Sequence, residues 1–353
     1  MKLDHLFRVG RLAILLFLAG SLFRPGTAMA APLKVCTTVV ELGSLARTVG
    51  GERVEVTVLA KGNEDVHYLD AKPSFVKVLS EADLFIQVGM ELEAGWAPYL
   101  LQNSRNGRIQ PGGGGYLDAS TAIAPLEVPT GVVDRSMGDI HPEGNPHYLT
   151  DPLNGLKVAA LIRDRLAALD PAGGAIYREN LAALRSRMAE LMIGRQLAAK
   201  YDFEKIALLY QHGKLAPFLQ QQGEGKLLGG WLGDLLPSFG APVLTYHKSW
   251  PYFVQRFGLI VVDQLEPRPG IPPSPGHLKR VIDKGRAAGV RIILEEPWHP
   301  QKPARMVAEK IGAKVVRAAV SVAGTRSDYD YLAGVDEVVK NVAEGLSGKR
   351  TNP

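Results

Sequence analysis

Three histidines that lie far apart in the sequence are the residues best suited to chemistry. They are His67 in Asp-Val-His-Tyr, His147 in Asn-Pro-His-Tyr and His247 in Thr-Tyr-His-Lys. Neutral imidazole is a borderline donor that suits Zn²⁺, Cu²⁺ or Ni²⁺, whereas Mn²⁺ is better served by carboxylate and water. Three separated histidines, each on a loop or at the end of a strand-like run, indicate one assembled metal site with zinc as the favoured ion.

His147 lies in the most informative stretch, which runs from 138 to 152 and also contains His141. Turn-forming residues surround it, namely Pro142, Gly144, Asn145 and Pro146. Such residues place an imidazole on a loop, where backbone geometry aims the side chain and a metal can reach it. A solvated surface loop with two incidental histidines explains this segment equally well by itself. The histidines elsewhere in the chain favour the metal interpretation.

Residues 1–30 have the three parts of a secretory signal peptide. A basic beginning precedes an apolar run over 12–23, and Ala28-Met29-Ala30 is a small-x-small cleavage site. The apolar run is shorter than the roughly 20 residues that a membrane-spanning helix needs. We therefore expect cleavage near Ala30 and a soluble protein that is exported to the periplasm.

The charge and the cysteine content exclude two classes of protein. Loss of residues 1–30 removes four basic residues and one acid, which lowers the formal charge from +5 to +2. The high pI therefore gives no case for a nucleic-acid partner. Cys36 is the only cysteine, so no disulfide framework forms within the chain. Because Lys34 and Val35 replace the small residues of a lipoprotein site, we expect Cys36 to be buried in a strand.

Alternating strand-like and helical segments predict an α/β lobe over residues 31–170. Strand-like runs over 33–40 and 54–59 enclose a helical pattern. This β-α-β opening favours a parallel sheet with ligands at the carboxyl ends of its strands. His67 follows such an end. Residues 116–139 are rich in proline and glycine and are predicted to be mostly irregular.

A long helix is predicted between this lobe and a second one. Apolar residues recur near helical spacing over 175–200, after a break at Asp170-Pro171. We assign residues 171–200 to a connecting backbone helix. Residues 202–240 are helical but interrupted by glycines, which indicates a helical insertion before the next sheet.

The second lobe is assigned to residues 201–353. Its first strand, over 241–246, ends at His247, and strands and helices alternate again as far as a final helix over 331–346. The predicted fold class is α/β, with two lobes of mainly parallel sheets joined by a single long helix. Ligands from both lobes place the metal site in the cleft between them.

Four segments carry a resemblance to a known family. Found in this order, they are Val66-His67-Tyr68 before Lys72-Pro73-Ser74, Ala82-Asp83-Leu84 with Gly89-Met90-Glu91-Leu92-Glu93, Pro146-His147-Tyr148 before Asp151-Pro152, and Thr245-Tyr246-His247-Lys248-Ser249-Trp250. The chain resembles the solute-binding proteins of zinc and manganese ABC importers. The resemblance covers nearly the whole mature chain.

The resemblance implies a receptor and not an enzyme. Such a receptor captures a divalent metal outside the cytoplasmic membrane and delivers it to an importer permease and its ATPase. The family's ligand positions correspond to His67, His147 and His247. We expect Zn²⁺ as the transported ligand in preference to Mn²⁺, and a monomeric protein.

The fourth ligand is left open by departures from the family pattern. Zinc members often have a long His-rich acidic loop before the second ligand, whereas this stretch holds only His141, whose part in a secondary site is also open. Manganese members have an acid at the position of His247 and an Asp after the last strand, where this chain has Ala318-Ala319-Val320. Glu296 is the first candidate for the fourth ligand and Glu266 the second. Each is equally suited to supporting His247, and water is the remaining possibility.

Two other functions use similar residues. A catalytic zinc hydrolase also holds its ion with three histidines and a water, but this chain has no His-Glu-x-x-His segment. A metal-binding adhesin with the same fold is the second alternative. Metal titration and a hydrolase assay separate the hydrolase from the receptor, and a neighbouring permease and ATPase separate the receptor from the adhesin.

Overall fold

The computed structural model describes residues 31–62, 64–131, 141–268, 270–317 and 330–347. The predicted signal peptide and the run Ala318-Ala319-Val320 lie outside these ranges. All the elements below belong to one unit that begins at Leu33. Within the described ranges, no helix is both long and apolar enough to cross a membrane.

The first sheet contains β1 (Leu33–Thr37), β2 (Val54–Val58), β3 (Leu84–Gln87) and β4 (Tyr116–Asp118). The order across the sheet is β2-β1-β3-β4, and every pair is parallel. The central strand β1 is covered on both faces, as is usual in parallel sheets. Its Cys36 is fully buried, which confirms the prediction of a structural thiol.

The second sheet contains β5 (Pro242–Thr245), β6 (Ile260–Gln264), β7 (Ile292–Glu295) and β8 (Lys314–Arg317). Its order, β6-β5-β7-β8, repeats that of the first sheet, and its pairs are again parallel. In both sheets the strand order reverses beside the first strand, and ligands bind at the carboxyl ends next to such a reversal. The predicted α/β fold with two mainly parallel sheets is confirmed.

Helices cover the two sheets and connect them. In chain order they are α1 (Val40–Gly50), α2 (Pro73–Glu81), α3 (Ala97–Ser104), α4 (Pro152–Leu169), α5 (Gly174–Ile193), α6 (Arg195–Ala198), α7 (Phe203–Gln211), α8 (Leu215–Gln221), α9 (Gly230–Leu235), α10 (Pro251–Phe257), α11 (Pro275–Ala287), α12 (Gln301–Ile311) and α13 (Tyr331–Ser347).

The long helix α5 joins the two parts of the fold. Its 20 residues span about 30 Å at 1.5 Å per residue, and it packs against α1, α4, α7 and α9. The helix ends at Gly194, where a φ of 79° favours glycine and a Cβ would lie 3.1 Å from the Cα of Gly229. The predicted connecting segment, 171–200, therefore contains a break before α6. The limits assigned to the lobes stay predictions.

Strand β4 was not anticipated from the sequence. It lies in the region expected to be irregular, and it is only three residues long. Strand β4 is defined by its pairing with β3 and not by its own residue pattern. Phe85, Ile86 and Gln87 of β3 are in register with its three residues. A strand this short, preceded by glycines, has too few residues for an alternating pattern to be visible.

A buried ion pair links α4 and α10. Nε and Nη2 of Arg256 donate to the two carboxylate oxygens of Asp151 at 2.9 and 2.8 Å, and the side chains are 12% and 7% exposed. Asp151 also accepts a hydrogen bond from the backbone N–H of Leu153, which caps the first turn of α4. The pair connects the helix after the first sheet with the helix that follows β5.

We predict that Arg256→Met strongly destabilises the fold, because it leaves the carboxylate of Asp151 buried without its cation. Loss of one member of a buried pair costs about 3–5 kcal/mol, measurable by urea unfolding of purified protein. The matched control is Arg195→Met, since the Arg195–Glu190 pair is 85% and 50% exposed and such pairs contribute about 0–1 kcal/mol. Equal losses in the two variants would contradict the prediction.

Candidate metal site

The structure brings the three sequence-predicted histidines together. One ring nitrogen from each of His67, His147 and His247 lies within 4.8 Å of the others. The ring centroids are 5.5 Å apart for His67 and His147, 5.9 Å for His67 and His247, and 5.7 Å for His147 and His247. Asp65, Glu266 and His299 help to line a cavity of about 210 Å³ beside them. This is the arrangement that a single metal ion bound by imidazoles requires.

His67 is held by Asp65, two residues before it. The carboxylate of Asp65 accepts from the backbone N–H of His67 at 3.1 Å and lies 2.8 Å from the ring Nδ1. Burial raises the pKa of Asp65, but the hydrogen bonds and charge of His67 outweigh this and lower it. The carboxylate therefore stays ionised and holds the proton of His67 on Nδ1. Nε2 is left with a lone pair, which is the form that binds a metal.

His147 presents a ring nitrogen that has no partner. Its backbone N–H donates to the side-chain oxygen of Asn145 at 3.0 Å, which sets the turn, while its Nε2 is buried without a hydrogen bond. Burial and the neighbouring imidazoles hold the pKa of His147 well below its usual value, so the ring is neutral. An unsatisfied buried polar atom is costly, and a metal ion would satisfy it.

His247 follows β5, and Glu266 follows the neighbouring strand β6. Nδ1 of His247 lies 2.7 Å from Oε2 of Glu266, and both side chains are less than a tenth exposed. Burial lowers the pKa of His247, but the hydrogen bond with Glu266 and the charges of Glu296 and Asp65 raise it overall. Glu266 thus orients the imidazole through Nδ1 and directs Nε2 away from itself.

The loop that carries His147 is hydrogen-bonded to the segment that carries His247. The side-chain N–H of Asn145 donates to the carbonyl of Lys248 at 2.7 Å, and the hydroxyl of Tyr252 donates to the carbonyl of Asn145 at 2.9 Å. The same hydroxyl accepts from the backbone N–H of Leu126. Two of the three imidazoles are therefore held in one network.

Glu296 lies at the end of β7 but outside the three-histidine group. Its side chain is fully buried, and its Oε2 is 3.3 Å from Nε2 of His299 without a well-directed hydrogen bond. His299 stacks on Tyr246 with ring centroids 4.2 Å apart and forms a second potential ligand group with His247 and Glu266. His299 was not predicted from the sequence as a site residue. Its position shortly after the end of β7 was the feature of the sequence that could have indicated a site residue.

His141 also reaches the site. Its Nε2 lies 3.3 Å from Nε2 of His67, and the two ring centroids are 5.3 Å apart. The ring is partly buried. The structure thus places the one histidine of the shortened loop against a member of the three-histidine group.

Two parallel α/β sheets with histidines from both at their carboxyl edges define a metal-binding receptor of the solute-binding type. The chain belongs to the family of the periplasmic zinc-uptake complex component A, whose model matches residues 35–223 and 233–345. The resemblance inferred from the four sequence segments is confirmed. This family consists of substrate-binding receptors, so the expectation of a receptor and not an enzyme is confirmed as well.

Individual relatives are named for either metal. The chain is 23% identical over 322 residues to the manganese ABC transporter substrate-binding lipoprotein PsaA of Streptococcus pneumoniae, covering 89% of each. It is 30% identical over 256 residues to the manganese-binding lipoprotein MntA of Halalkalibacterium halodurans, covering 71% of this chain and 66% of that protein.

Solved structures share the fold. The crystal structure of ZnuA matches with a TM-score of 0.64 at 23% identity, covering 89% of this chain and 98% of that one. A mutant structure of the laminin-binding adhesin Lmb from Streptococcus agalactiae matches with a TM-score of 0.63 at 21% identity, covering 89% and 99%. At these identities the matches establish the fold alone.

We predict that Glu266→Ala weakens zinc binding about 10- to 100-fold, the usual cost of removing a partner that orients a metal-binding histidine. The dissociation constant is measured by competition with a chromophoric chelator. Asp263→Ala serves as the control, because Asp263 lies on β6, just before Glu266, but pairs with the exposed Lys284. An unchanged affinity in Glu266→Ala would show that Glu266 does not act on the metal through His247.

Proposed function

We propose that this protein captures Zn²⁺ outside the cytoplasmic membrane and delivers it to the permease and ATPase of an ABC importer. The observation that carries the proposal is the convergence of His67, His147 and His247. Two of these rings have Nδ1 beside a carboxylate, and the third has a buried Nε2 without a partner. Each is thereby prepared to bind an ion through Nε2.

We assign supporting roles to the carboxylates around the three ligands. Asp65 and Glu266 hold the Nδ1 protons of His67 and His247. Glu296, the first candidate for a fourth ligand in the sequence analysis, faces His299 and acts on His247 through its charge. In this proposal neither Glu266 nor Glu296 binds the metal directly.

The proposal of zinc over manganese rests on the ligand types. Imidazole suits Zn²⁺, whereas Mn²⁺ is better served by carboxylate and water, and no carboxylate belongs to the group formed by the three histidines in the described part of the chain. Relatives are named for both metals, so their names do not decide between the ions. The three imidazoles support the proposal of zinc.

The family and the predicted signal peptide support the proposed transport role and location. PsaA and related proteins are named as substrate-binding components of ABC transporters, which supports a permease and an ATPase as partners. Cys36 lies in the middle of a buried strand, which supports a protein without a lipid on this cysteine. We propose that the predicted signal peptide directs a monomeric protein to the periplasm.

We predict that His67→Ala, His147→Ala and His247→Ala each weaken zinc binding by at least about 100-fold, because each removes a metal–nitrogen bond and not merely a supporting contact. Isothermal titration with zinc measures the loss, and circular dichroism checks the fold. His212→Ala is the control, since His212 is exposed at the end of α7. Wild-type affinity in the triple variant would overturn the site assignment.

We predict that the wild-type protein binds zinc more tightly than manganese, and that His247→Glu narrows the difference because a carboxylate suits the harder ion. Competition between the two metals, followed by mass spectrometry of the bound ion, gives the preference. His247→Gln separates the effect of charge from the loss of the ring. Manganese binding as tight as zinc binding in the wild type would contradict the proposed specificity.

A further inference from the structure

Two helices on one face of the second sheet carry a concentration of positive charge that metal binding does not use. Residues 275–317 contain ten basic and four acidic side chains, a net formal charge of +6, whereas the rest of the mature chain has a net charge of −4. This stretch contains α11, α12, β7 and β8. A protein with one strongly positive part and a net negative remainder attracts anions to that part.

Helices α11 and α12 direct their basic residues outward because their apolar residues cover the sheet. Leu278 and Val281 of α11 and Val307 of α12 belong to one buried cluster with Leu244 and Ile293 of the strands. Each helix is therefore amphipathic. The two helices also pack against each other, so their outward sides form one surface.

We call this surface the basic face, and we define it by the seven exposed cations of the two helices. They are Lys279, Arg280, Lys284, Arg286, Lys302, Arg305 and Lys310. Two of the four acidic residues in the stretch, Glu295 and Glu296, are buried at the end of β7. Only Asp283 and Glu309 are exposed on the two helices, so the positive charges dominate the surface.

Most of the cations on the basic face lack a carboxylate partner. Lys279 pairs with Asp283 at 3.2 Å, and Lys284 pairs with Asp263 at 2.7 Å. The other five cations form no ion pair with any residue that the structure describes. Arg286 instead donates to the backbone carbonyl of Lys310 at 2.8 Å, which holds the ends of α11 and α12 together. The positive charge of this surface is therefore left for a partner.

The side chains of the basic face indicate a partner with many anionic groups. The centre of a protein–protein interface is depleted of charged residues and enriched in aromatic ones. Helices α11 and α12, both described in full, contain no Phe, Tyr or Trp, and Met306 is their only exposed large apolar side chain. An anionic lipid surface needs neither a pocket nor an apolar centre, because it attracts Lys and Arg within a Debye length.

We propose that the basic face binds the anionic lipid headgroups of a membrane. The inference rests on the proposed location outside the cytoplasmic membrane, where the ion is delivered to an importer, and not on which residues bind the metal. The buried Cys36 supports a protein without a lipid on this cysteine. Electrostatic attraction through α11 and α12 is then a reversible means of holding the receptor near a membrane importer.

The contact with the membrane leaves the candidate metal site accessible. None of the seven cations of the basic face lines the cavity beside His67, His147 and His247 among the described residues. His247 follows the carboxyl end of β5, whereas α11 and α12 cover a face of the same sheet. The receptor is therefore able to bind lipid and metal at the same time.

Sedimentation with lipid vesicles tests the proposal on the full-length mature protein. The probes are vesicles of phosphatidylglycerol and phosphatidylcholine in equal parts, and vesicles of phosphatidylcholine alone. We expect binding to the anionic vesicles only. Binding at about 0.1 M salt should be lost at about 1 M salt, because the Debye length falls from about 10 Å to about 3 Å.

Two triple variants with equal net charge locate the contact. The first removes the cations of α12, with Lys302→Gln, Arg305→Gln and Lys310→Gln. The control removes three exposed cations from the segment 202–240, with Lys205→Gln, Lys214→Gln and Lys226→Gln. We expect the vesicle partition coefficient to fall at least about 10-fold in the first variant and to stay near the wild-type value in the control. Circular dichroism checks the fold of both.

Four outcomes would overturn the inference. Equal losses in the two variants would show that net charge, and not the basic face, attracts the vesicles. Equal binding to phosphatidylcholine alone would show that the contact is not electrostatic. Binding to soluble polyglutamate without binding to vesicles would identify an acidic protein segment as the partner. Absence of binding to any of these probes would leave the basic face without an anionic partner.

Zinc titration of the same proteins keeps this inference separate from the proposed function. We expect both triple variants to bind zinc with wild-type affinity, because the substituted residues lie outside the candidate metal site. Zinc binding without vesicle binding in the wild type would contradict the inference alone. Vesicle binding without zinc binding would contradict the proposed function alone.

Discussion

The pairing of Arg256 with Asp151 is the interaction on which the rest of the site depends. Both side chains are nearly buried, so neither charge has water to compensate it, and each requires the other. The same carboxylate caps α4, and the residues just before it carry His147. A single ion pair therefore fixes where a helix begins, where a ligand loop lies, and how that loop meets the segment after β5.

The imidazoles of His67 and His247 are oriented in the same way, although different residues orient them. A carboxylate two residues earlier in the chain serves His67, and a carboxylate that follows the neighbouring strand serves His247. In each case a group that accepts a proton defines the tautomer and leaves the other nitrogen for a ligand. Asp65 and Glu266 matter to the site because an imidazole without such a partner can rotate or bind through the wrong nitrogen.

Much of the fold could be predicted from the sequence, because strand-like runs alternate with helical patterns in both halves of the chain. His67 and His247 were identifiable because strand ends in parallel sheets converge on one edge. Strand β4 was not, since its order comes from pairing with Phe85 and its neighbours. The placement of Glu296 beside His299 and the contact of His141 with His67 depend on side-chain directions in three dimensions. The spacing of residues in the sequence does not predict those directions.

The hydrogen-bond network that joins Asn145 to Lys248 and Tyr252 has a consequence for the order in which the ion dissociates. As ligands of the proposed site, His147 and His247 would act as one bidentate unit, because the side chains of Asn145 and Tyr252 join their two segments, whereas His67 follows a strand of the other sheet. Separation of that strand end from the unit would lower the denticity of the receptor in a single step. The contribution of the third ligand to the chelate effect would be lost before any metal–nitrogen bond in the remaining pair had weakened. A receptor that must both hold and release its ion would benefit from such a stepwise loss.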